Sequence, residues 1–355
     1  MGWIKRRKTK TIYVGNVPIG SEHPIVVQSM TNTFTEDIET TVAQIKELEK
    51  VGCEIVRVAV PSVKAAEALK EIKKRISIPL IADIHFDHKL ALLSIENSAD
   101  CIRINPGNIG ESWKVKEIIS LAKERGISIR IGVNSGSIPK EILAKYGKPS
   151  PEALAETALN YAKFFEDNDF TNIKFSLKGS EVKSTVIANK IFAEKTDYPI
   201  HIGITEAGTL ISGAVKSAVG VGILLYEGIG DTVRISLSTS PKEEVKIAYK
   251  ILSALELKKR GVEVISCPTC GRCMVDVETI AKEVERRLEH IEKPLKVAVM
   301  GCAVNGPGEA KFADLGIAGA GDYFILFVKG RVIEKLTEEA ALERLVEEIE
   351  KTARE

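Results

Sequence analysis

The chain alternates between two periods. Short runs rich in Val, Ile and other strand formers recur as PIVVQSM (24–30), EIVRVAV (54–60), PLIADI (79–84) and CIRINPG (101–107). Four more follow as SIRIGVN (128–134), NIKFSLK (172–178), PIHIGIT (199–205) and TVRISLS (232–238). Between them lie segments with apolar residues at helical spacing, such as 37–51, 62–75, 111–126 and 151–168. Strand patterns separated by helix patterns predict parallel strands joined by crossovers, and eight such units predict a (β/α)8 TIM barrel. A doubly wound open sheet is the competing α/β arrangement, but no GxGxxG loop follows the first run. A short hairpin (11–20) precedes the barrel, and a helix over 241–260, broken at Gly261, is expected to end it.

Beyond that point the rhythm changes. A strand leads into a cysteine-bearing loop, a helix spans 276–291, a strand enters Cys302, two or three strands occupy 315–336, and a helix covers 337–353. The Lys329-Gly330 pair reads as a hairpin turn. The expected organisation is a barrel domain over 1–261 that binds the substrate and a small α+β domain over 262–355.

Composition narrows the function classes without choosing among them. With 355 residues, 44% apolar and 28% charged, the chain has ample core for two domains. A formal net charge of +1 gives no global attraction to nucleic acid or to an anionic membrane. The basic run at 5–10 lacks a following apolar segment and reads as a solvated lead-in, and the longest apolar run (218–226) is far too short to span a bilayer. A cytoplasmic protein with reduced thiols, binding neither nucleic acid nor membrane, is expected.

Local charge is more telling. Arg57, Arg103, Arg130 and Arg234 each sit between β-branched neighbours on a predicted barrel strand, and Lys178 ends another. Barrel interiors are ordinarily aliphatic, and sites form where inward side chains converge at the C-terminal ends of strands. Arginine's fork binds phosphate oxygens two at a time and keeps its charge when desolvated. Five converging cations therefore predict a phosphate site. The plainer alternative is that the arginines face outward and pair with helix carboxylates. Asp83, His85, Asn105, Asn134, Glu206 and Ser236 fall at the same level, where Asp83 and Glu206 suit acid, base or hydroxyl-binding roles and the amides suit sugar-like hydroxyls. His85, Asp87 and His88 do not read as a metal trio, because Asp87 is placed to cap the next helix. Cys53 and Cys101 read as small core residues.

The remaining cysteines form a second focus. CPTCGRC (267–273) offers two thiolates on one turn, and MGCAVNGPGEA (300–310) brings Cys302 and Glu309 on a loop rich in Gly and Pro. Spacing alone leaves open an iron–sulfur cluster, a structural zinc or plain buried thiols.

CPTCGR with GCAVNGPGE, behind a barrel carrying GITEAG (203–208) and RISLS (234–238), closely resembles the 4-hydroxy-3-methylbut-2-enyl diphosphate synthase family of the non-mevalonate isoprenoid pathway, in its two-domain bacterial form. The resemblance covers essentially the whole chain. It implies a [4Fe–4S] cluster held by Cys267, Cys270, Cys302 and Glu309. It implies two-electron reduction, with ring opening and loss of water, of 2-C-methyl-D-erythritol 2,4-cyclodiphosphate. Flavodoxin or ferredoxin would be the electron donor, and the chain would form a homodimer in which the cluster domain of one chain covers the barrel of the other. A carboxylate ligand is hard and weakly held, so Glu309 can leave an iron to a substrate oxygen. One position departs from the family: Cys273 stands where threonine is more usual. It is expected on the first turn of the following helix, pointing away from the other thiols. Two other readings of the residues are a cluster-free barrel enzyme with a structural zinc, similar to pterin-synthase-type folds, and a non-catalytic iron–sulfur carrier.

Overall fold

The computed structural model describes residues 3–302 and 312–354 and divides into two compact units, Met1–Lys258 and Lys259–Glu355. The first opens with an antiparallel hairpin, β1 (Ile12–Val14) and β2 (Val17–Ile19). Eight parallel strands follow in chain order: β3 (Val26–Met30), β4 (Ile55–Ala59), β5 (Leu80–Asp83), β6 (Cys101–Ile104), β7 (Ser128–Asn134), β8 (Ile173–Lys178), β9 (His201–Ile202) and β10 (Thr232–Val233). Each pairs with its neighbour from β3 to β8, and β10 pairs with both β3 and β9. A single bridge between Phe175 and Ile200 links β8 to β9, so the barrel is nearly closed.

The period of two along each strand sorts its side chains. Val56, Val58, Ile102, Ile129, Ile131 and Phe175 belong to the apolar layer between strands and helices. Their neighbours, Arg57, Arg103, Arg130 and Lys174, therefore face the barrel axis. At the lower end Val26, Ile55, Ile81 and Cys101 pack against Ile12, Val14 and Ile19 of the hairpin, which closes that end with an apolar plug. The helices start where expected: Asp37, Ser62, Asp87 and Ser150 each accept a backbone N–H of the following turn. The capping role anticipated for Asp87 is observed, with Lys89 N at 2.9 Å.

Two expectations need correction. The runs at 199–205 and 232–238 form strands of only two residues each. At Gly203, with φ of +157°, a Cβ would collide with the Arg234 carbonyl oxygen, so the backbones leave regular pairing there to shape the upper rim. The helix expected over 241–260 ends at Ala254. Glu256 adopts φ of +57°, Glu256 N donates to Ser253 O, and Leu257 N donates to Leu252 O, each at 2.9 Å. That is a Schellman stop with Glu in the position that usually signals itself by glycine.

In the second unit the sheet runs β11 (Val262–Ser266), β12 (Leu295–Met300), β13 (Leu315–Gly319), β14 (Phe324–Val328) and β15 (Arg331–Leu336). The first three strands are parallel and the last two antiparallel, with helices Val277–Arg287 and Glu338–Arg354 contributing to its core. Lys329 and Gly330 both have positive φ, as the hairpin turn requires. No helix among the described residues is long and apolar enough to cross a membrane.

The N-terminal segment is tied to the barrel through a buried carboxylate. Asp231, 2% exposed, accepts from Arg6 at 2.8 Å, Thr9 Oγ1 at 2.9 Å and Ile200 N at 2.9 Å. Removing one member of a buried pair leaves the other charge unpaired, so Asp231→Ala is expected to destabilise the barrel by ~3 kcal/mol. Denaturant unfolding followed by circular dichroism checks this, and an unchanged midpoint would contradict it.

Candidate active site and cysteine centre

The upper half of the barrel interior is cationic. Arg57, Arg103, Arg130, Lys178 and Arg234 face one another across it, closely enough that each of the buried ones is perturbed by its neighbours. The countercharge on the described residues there comes from two buried carboxylates. Asp83, on β5, accepts from Arg103 Nη1 at 2.9 Å and lies 3.5 Å from Arg57 Nε. Glu244, on the helix Pro241–Ala254, accepts from Arg234 Nη2 at 3.2 Å, from Ser29 Oγ at 3.1 Å and from Leu237 N at 3.0 Å. The outward-pairing alternative thus holds in a limited sense: Arg234 does meet a helix carboxylate, but that carboxylate is itself buried at the barrel end.

Burial sets the energetics. Desolvation, reinforced by Arg234 and Arg103 and only partly offset by Asp83, pushes the Arg57 guanidinium down to about 10. Burial first, then Arg57 and Arg103, hold Arg130 well below its ordinary value, and burial with Arg130, Arg57, Arg234 and Arg103 does the same to Lys178. Burial pushes the Asp83 carboxyl up, yet Arg57, Arg103 and Arg130 outweigh it and keep the group below the usual carboxylate range. Five cations facing two carboxylates in a desolvated space repel one another, and an anion lowers that energy.

Two glycines make room for these side chains. A Cβ at Gly132 on β7 would lie 2.8 Å from Arg103 Nε, and one at Gly203 would lie 2.7 Å from Lys178 Nζ. The polar candidates are distributed less evenly. Asn105 is buried; its side-chain oxygen accepts from Gly107 N at 3.2 Å, and its amide nitrogen has no partner among the described residues. Ser236 is half-buried, while His85, Asn134 and Glu206 are exposed. Glu206 has φ of +52°, a strained conformation for a residue with a Cβ, in the loop directly after β9. His88 is buried against Trp113. The sequence pattern also holds residues not singled out as candidates. Lys174, Ser176 and Lys178 share one face of β8 by simple alternation, so Lys174 was legible as a second inward lysine. His201 follows the same rule on β9, whereas nothing local marks Glu244 among the helix's other charges.

In the second unit, Cys267 follows β11 and Cys302 follows β12, and these strands are adjacent and parallel. The two thiols are thereby brought to the same end of one sheet. Gly301 N donates to Cys267 Sγ at 3.1 Å, the kind of amide–sulfur bond that stabilises a thiolate ligand. Cys270 is exposed, and the backbone N–H of Arg272 lowers its thiol below the ordinary value, which favours the metal-binding thiolate. The donor set fits a thiolate-held cluster, although no three potential ligands among the described residues already converge as a metal cage. Glu309 lies outside the described residues. Cys273 departs from expectation: it lies ahead of the helix Val277–Arg287, not on it. Its amide donates to Cys270 O at 2.9 Å and its thiol to Val275 O at 3.2 Å, and its sulfur packs over Gly301, where a Cβ would collide with it.

The uncompensated charge yields a stability prediction. Pyrophosphate should raise the melting temperature of the protein well beyond chloride at equal ionic strength. An excess of 100 times its Kd corresponds to about 2.7 kcal/mol. Thermal melts in the two salts decide this, and identical midpoints would contradict it.

Residues 9–249 match the GcpE TIM-barrel domain and residues 263–351 the GcpE protein C-terminal domain. A relative from Caldanaerobacter subterraneus subsp. tengcongensis named 4-hydroxy-3-methylbut-2-en-1-yl diphosphate synthase (flavodoxin) is 60% identical, over 99% of this chain and 99% of its own. One of the same name from Thermodesulfovibrio yellowstonii is 56% identical, over 98% of this chain and 100% of its own. Among solved structures, dihydropteroate synthase of Yersinia pestis in complex with a sulfonamide drug superposes with a TM-score of 0.50 at 9% identity, over 70% of this chain and 100% of that one. That likeness concerns the barrel fold alone. By the match of both its domains and the identity along its length, the chain belongs to the GcpE family.

Proposed function

We propose that the chain reduces and opens 2-C-methyl-D-erythritol 2,4-cyclodiphosphate, with loss of water, to give 4-hydroxy-3-methylbut-2-enyl diphosphate. The product is the compound that names its relatives. The observation that carries this reading is the barrel mouth, where Arg57, Arg103, Arg130, Lys178 and Arg234 face Asp83 and Glu244. A ligand bearing two phosphates is the chemistry that relieves such an imbalance.

In this reading the cations grip the two phosphates. Asp83 holds the Arg57 and Arg103 forks in place. Asn105, Asn134, His85 and Ser236 bind the remaining phosphate and hydroxyl oxygens, and Glu206, on its strained loop, holds or gives a proton at the departing hydroxyl. Cys267, Cys270, Cys302 and Glu309 would hold a [4Fe–4S] cluster. Bound there, the cluster supplies the two electrons the reaction consumes, received from reduced flavodoxin or ferredoxin. The assignment of Glu309 over Cys273 rests on ligand chemistry: a carboxylate can leave an iron and a thiolate holds it. The Cys273 thiol is in addition already engaged with the Val275 carbonyl.

The chain is proposed to act as a homodimer, with the cluster domain of one copy over the barrel of the other. Support for self-association comes from helix Leu210–Tyr226, whose Ile211, Val215 and Val219 are exposed at four-residue spacing and continue to Tyr226. An exposed apolar face of this kind marks an association surface.

The whole reading is tested by anaerobic assay with reduced flavodoxin, where formation of 4-hydroxy-3-methylbut-2-enyl diphosphate is expected and its absence from iron-replete protein would refute it. At the level of residues, Arg103→Ala and Arg130→Ala should each weaken cyclic diphosphate binding by about tenfold or more, since a charge-assisted contact contributes ~1.5–3 kcal/mol. Normal binding by both variants would remove the anion site. Cys273→Ser should keep its iron and most of its turnover, whereas Glu309→Gln should lose turnover. The opposite pattern of iron content would make Cys273 the fourth ligand.

A further inference from the structure

Beneath the mouth and above the apolar plug, the barrel axis is lined by polar groups that the reaction as described does not use. Lys174 on β8 is fully buried, and its ammonium nitrogen has no hydrogen-bond partner among the described residues. His201 on β9 is equally buried; its Nδ1 lies 2.7 Å from Thr232 Oγ1, and its Nε2 has no partner among the described residues. Gln28 Nε2 and Ser128 Oγ, from β3 and β7, are buried and likewise have no partner among the described residues. Native interiors rarely leave so many polar atoms unsatisfied in one place, and an isolated ammonium there is costly.

The charge environment explains why Lys174 is exposed to what happens above it. Lys174 pairs in register with Arg130, so a second cation sits on the adjacent strand. The titratable groups that face it are Cys101 from β6, Arg130 from β7 and His201 from β9, and none of them is a carboxylate. Asp83, a buried acid of the mouth, is already engaged by Arg57 and Arg103. Lys174 and Lys178 lie on the same face of one strand, about 13 Å apart at Cα for a rise of roughly 3.3 Å per residue. A doubly phosphorylated anion gripped at Lys178 and Arg130 therefore brings negative charge over a buried, unbalanced amine in a medium of low dielectric.

We propose that binding of the diphosphate in the mouth is coupled to uptake of a proton by Lys174, making this residue the charge-balancing group of the barrel interior. The inference rests on the anion-site reading above. In the free protein, burial pushes the Lys174 ammonium down to about 8, with Arg130 adding to it and Cys101 opposing it. A nearby anion raises it again. Because the bound state then holds the proton more tightly, uptake is negligible well below pH 8 and grows as the pH rises through and beyond it. Apparent affinity accordingly falls with rising pH across the same window.

Calorimetric titration of the oxidised holoenzyme with 2-C-methyl-D-erythritol 2,4-cyclodiphosphate tests this without turnover. The titrations are repeated in buffers of different ionisation enthalpy at pH 7, 8 and 9. The expected result is a net proton uptake that grows from pH 7 to pH 9, of which Lys178 in the mouth supplies one component and Lys174 a further component. Lys174→Met should lose the Lys174 component while still binding the ligand, since Lys174 does not touch it. Lys174→Gln provides a second, polar replacement with the same expectation. A merely structural role for Lys174 would leave proton uptake unmoved. Binding without buffer dependence in the parent protein, or undiminished uptake in a folded Lys174 variant, would overturn the proposal while leaving the anion site intact. No binding at any pH would overturn both.

Discussion

Mutual repulsion of buried cations is the constraint from which the rest of the barrel follows. Arg57, Arg103, Arg130, Lys178 and Arg234 are held out of water by the strands that carry them, and Asp83 and Glu244 offset only part of their charge. Such a cluster persists because the surrounding fold over-determines it. The hairpin plugs the lower end, the helix layer fixes the outward-facing aliphatics, and Gly132 and Gly203 give the long side chains space to lie flat. The stability given up to repulsion becomes available to whatever anion enters, which is how a preorganised site turns folding energy into binding energy.

The small domain solves a different problem with the same economy of means. Two adjacent parallel strands, β11 and β12, end one residue before Cys267 and two before Cys302, so one end of the sheet collects thiols that lie far apart in sequence. The Gly301 amide, pointing at the Cys267 sulfur, supplies a fixed dipole for a thiolate before any metal is considered. Cys273 is drawn into this neighbourhood by the turn that precedes the helix. Its sulfur stacks on Gly301, so the absence of a side chain at 301 and the presence of an extra thiol at 273 belong to one packing arrangement.

Most of the barrel was legible because period and length are written directly in the β-runs: eight alternating runs became eight parallel strands in order. What escaped was geometry set by contacts distant in sequence. The strands at 199–205 and 232–238 shrink to two residues because the Gly203 backbone lies against the Arg234 carbonyl, a meeting no local pattern records. The helix after Pro241 stops at a Schellman turn built on Glu256, and only glycine would have advertised it. In the site, the four arginines and Lys178 were visible as charges breaking an aliphatic rule. Glu244 was not, since one buried carboxylate on a helix looks in sequence like any solvated one. Lys174 carries the same signal by alternation with Lys178, but it lies down the axis from the strand ends where barrel sites form.

The central claim is that the barrel mouth is a diphosphate site made by these cations. A crystal structure of the protein with 2-C-methyl-D-erythritol 2,4-cyclodiphosphate tests it most directly. The account predicts phosphate oxygens at about 2.7–2.9 Å from at least three of Arg57, Arg103, Arg130, Lys178 and Arg234. A ligand bound elsewhere, or held in the barrel with its phosphates turned away from those side chains, would contradict it.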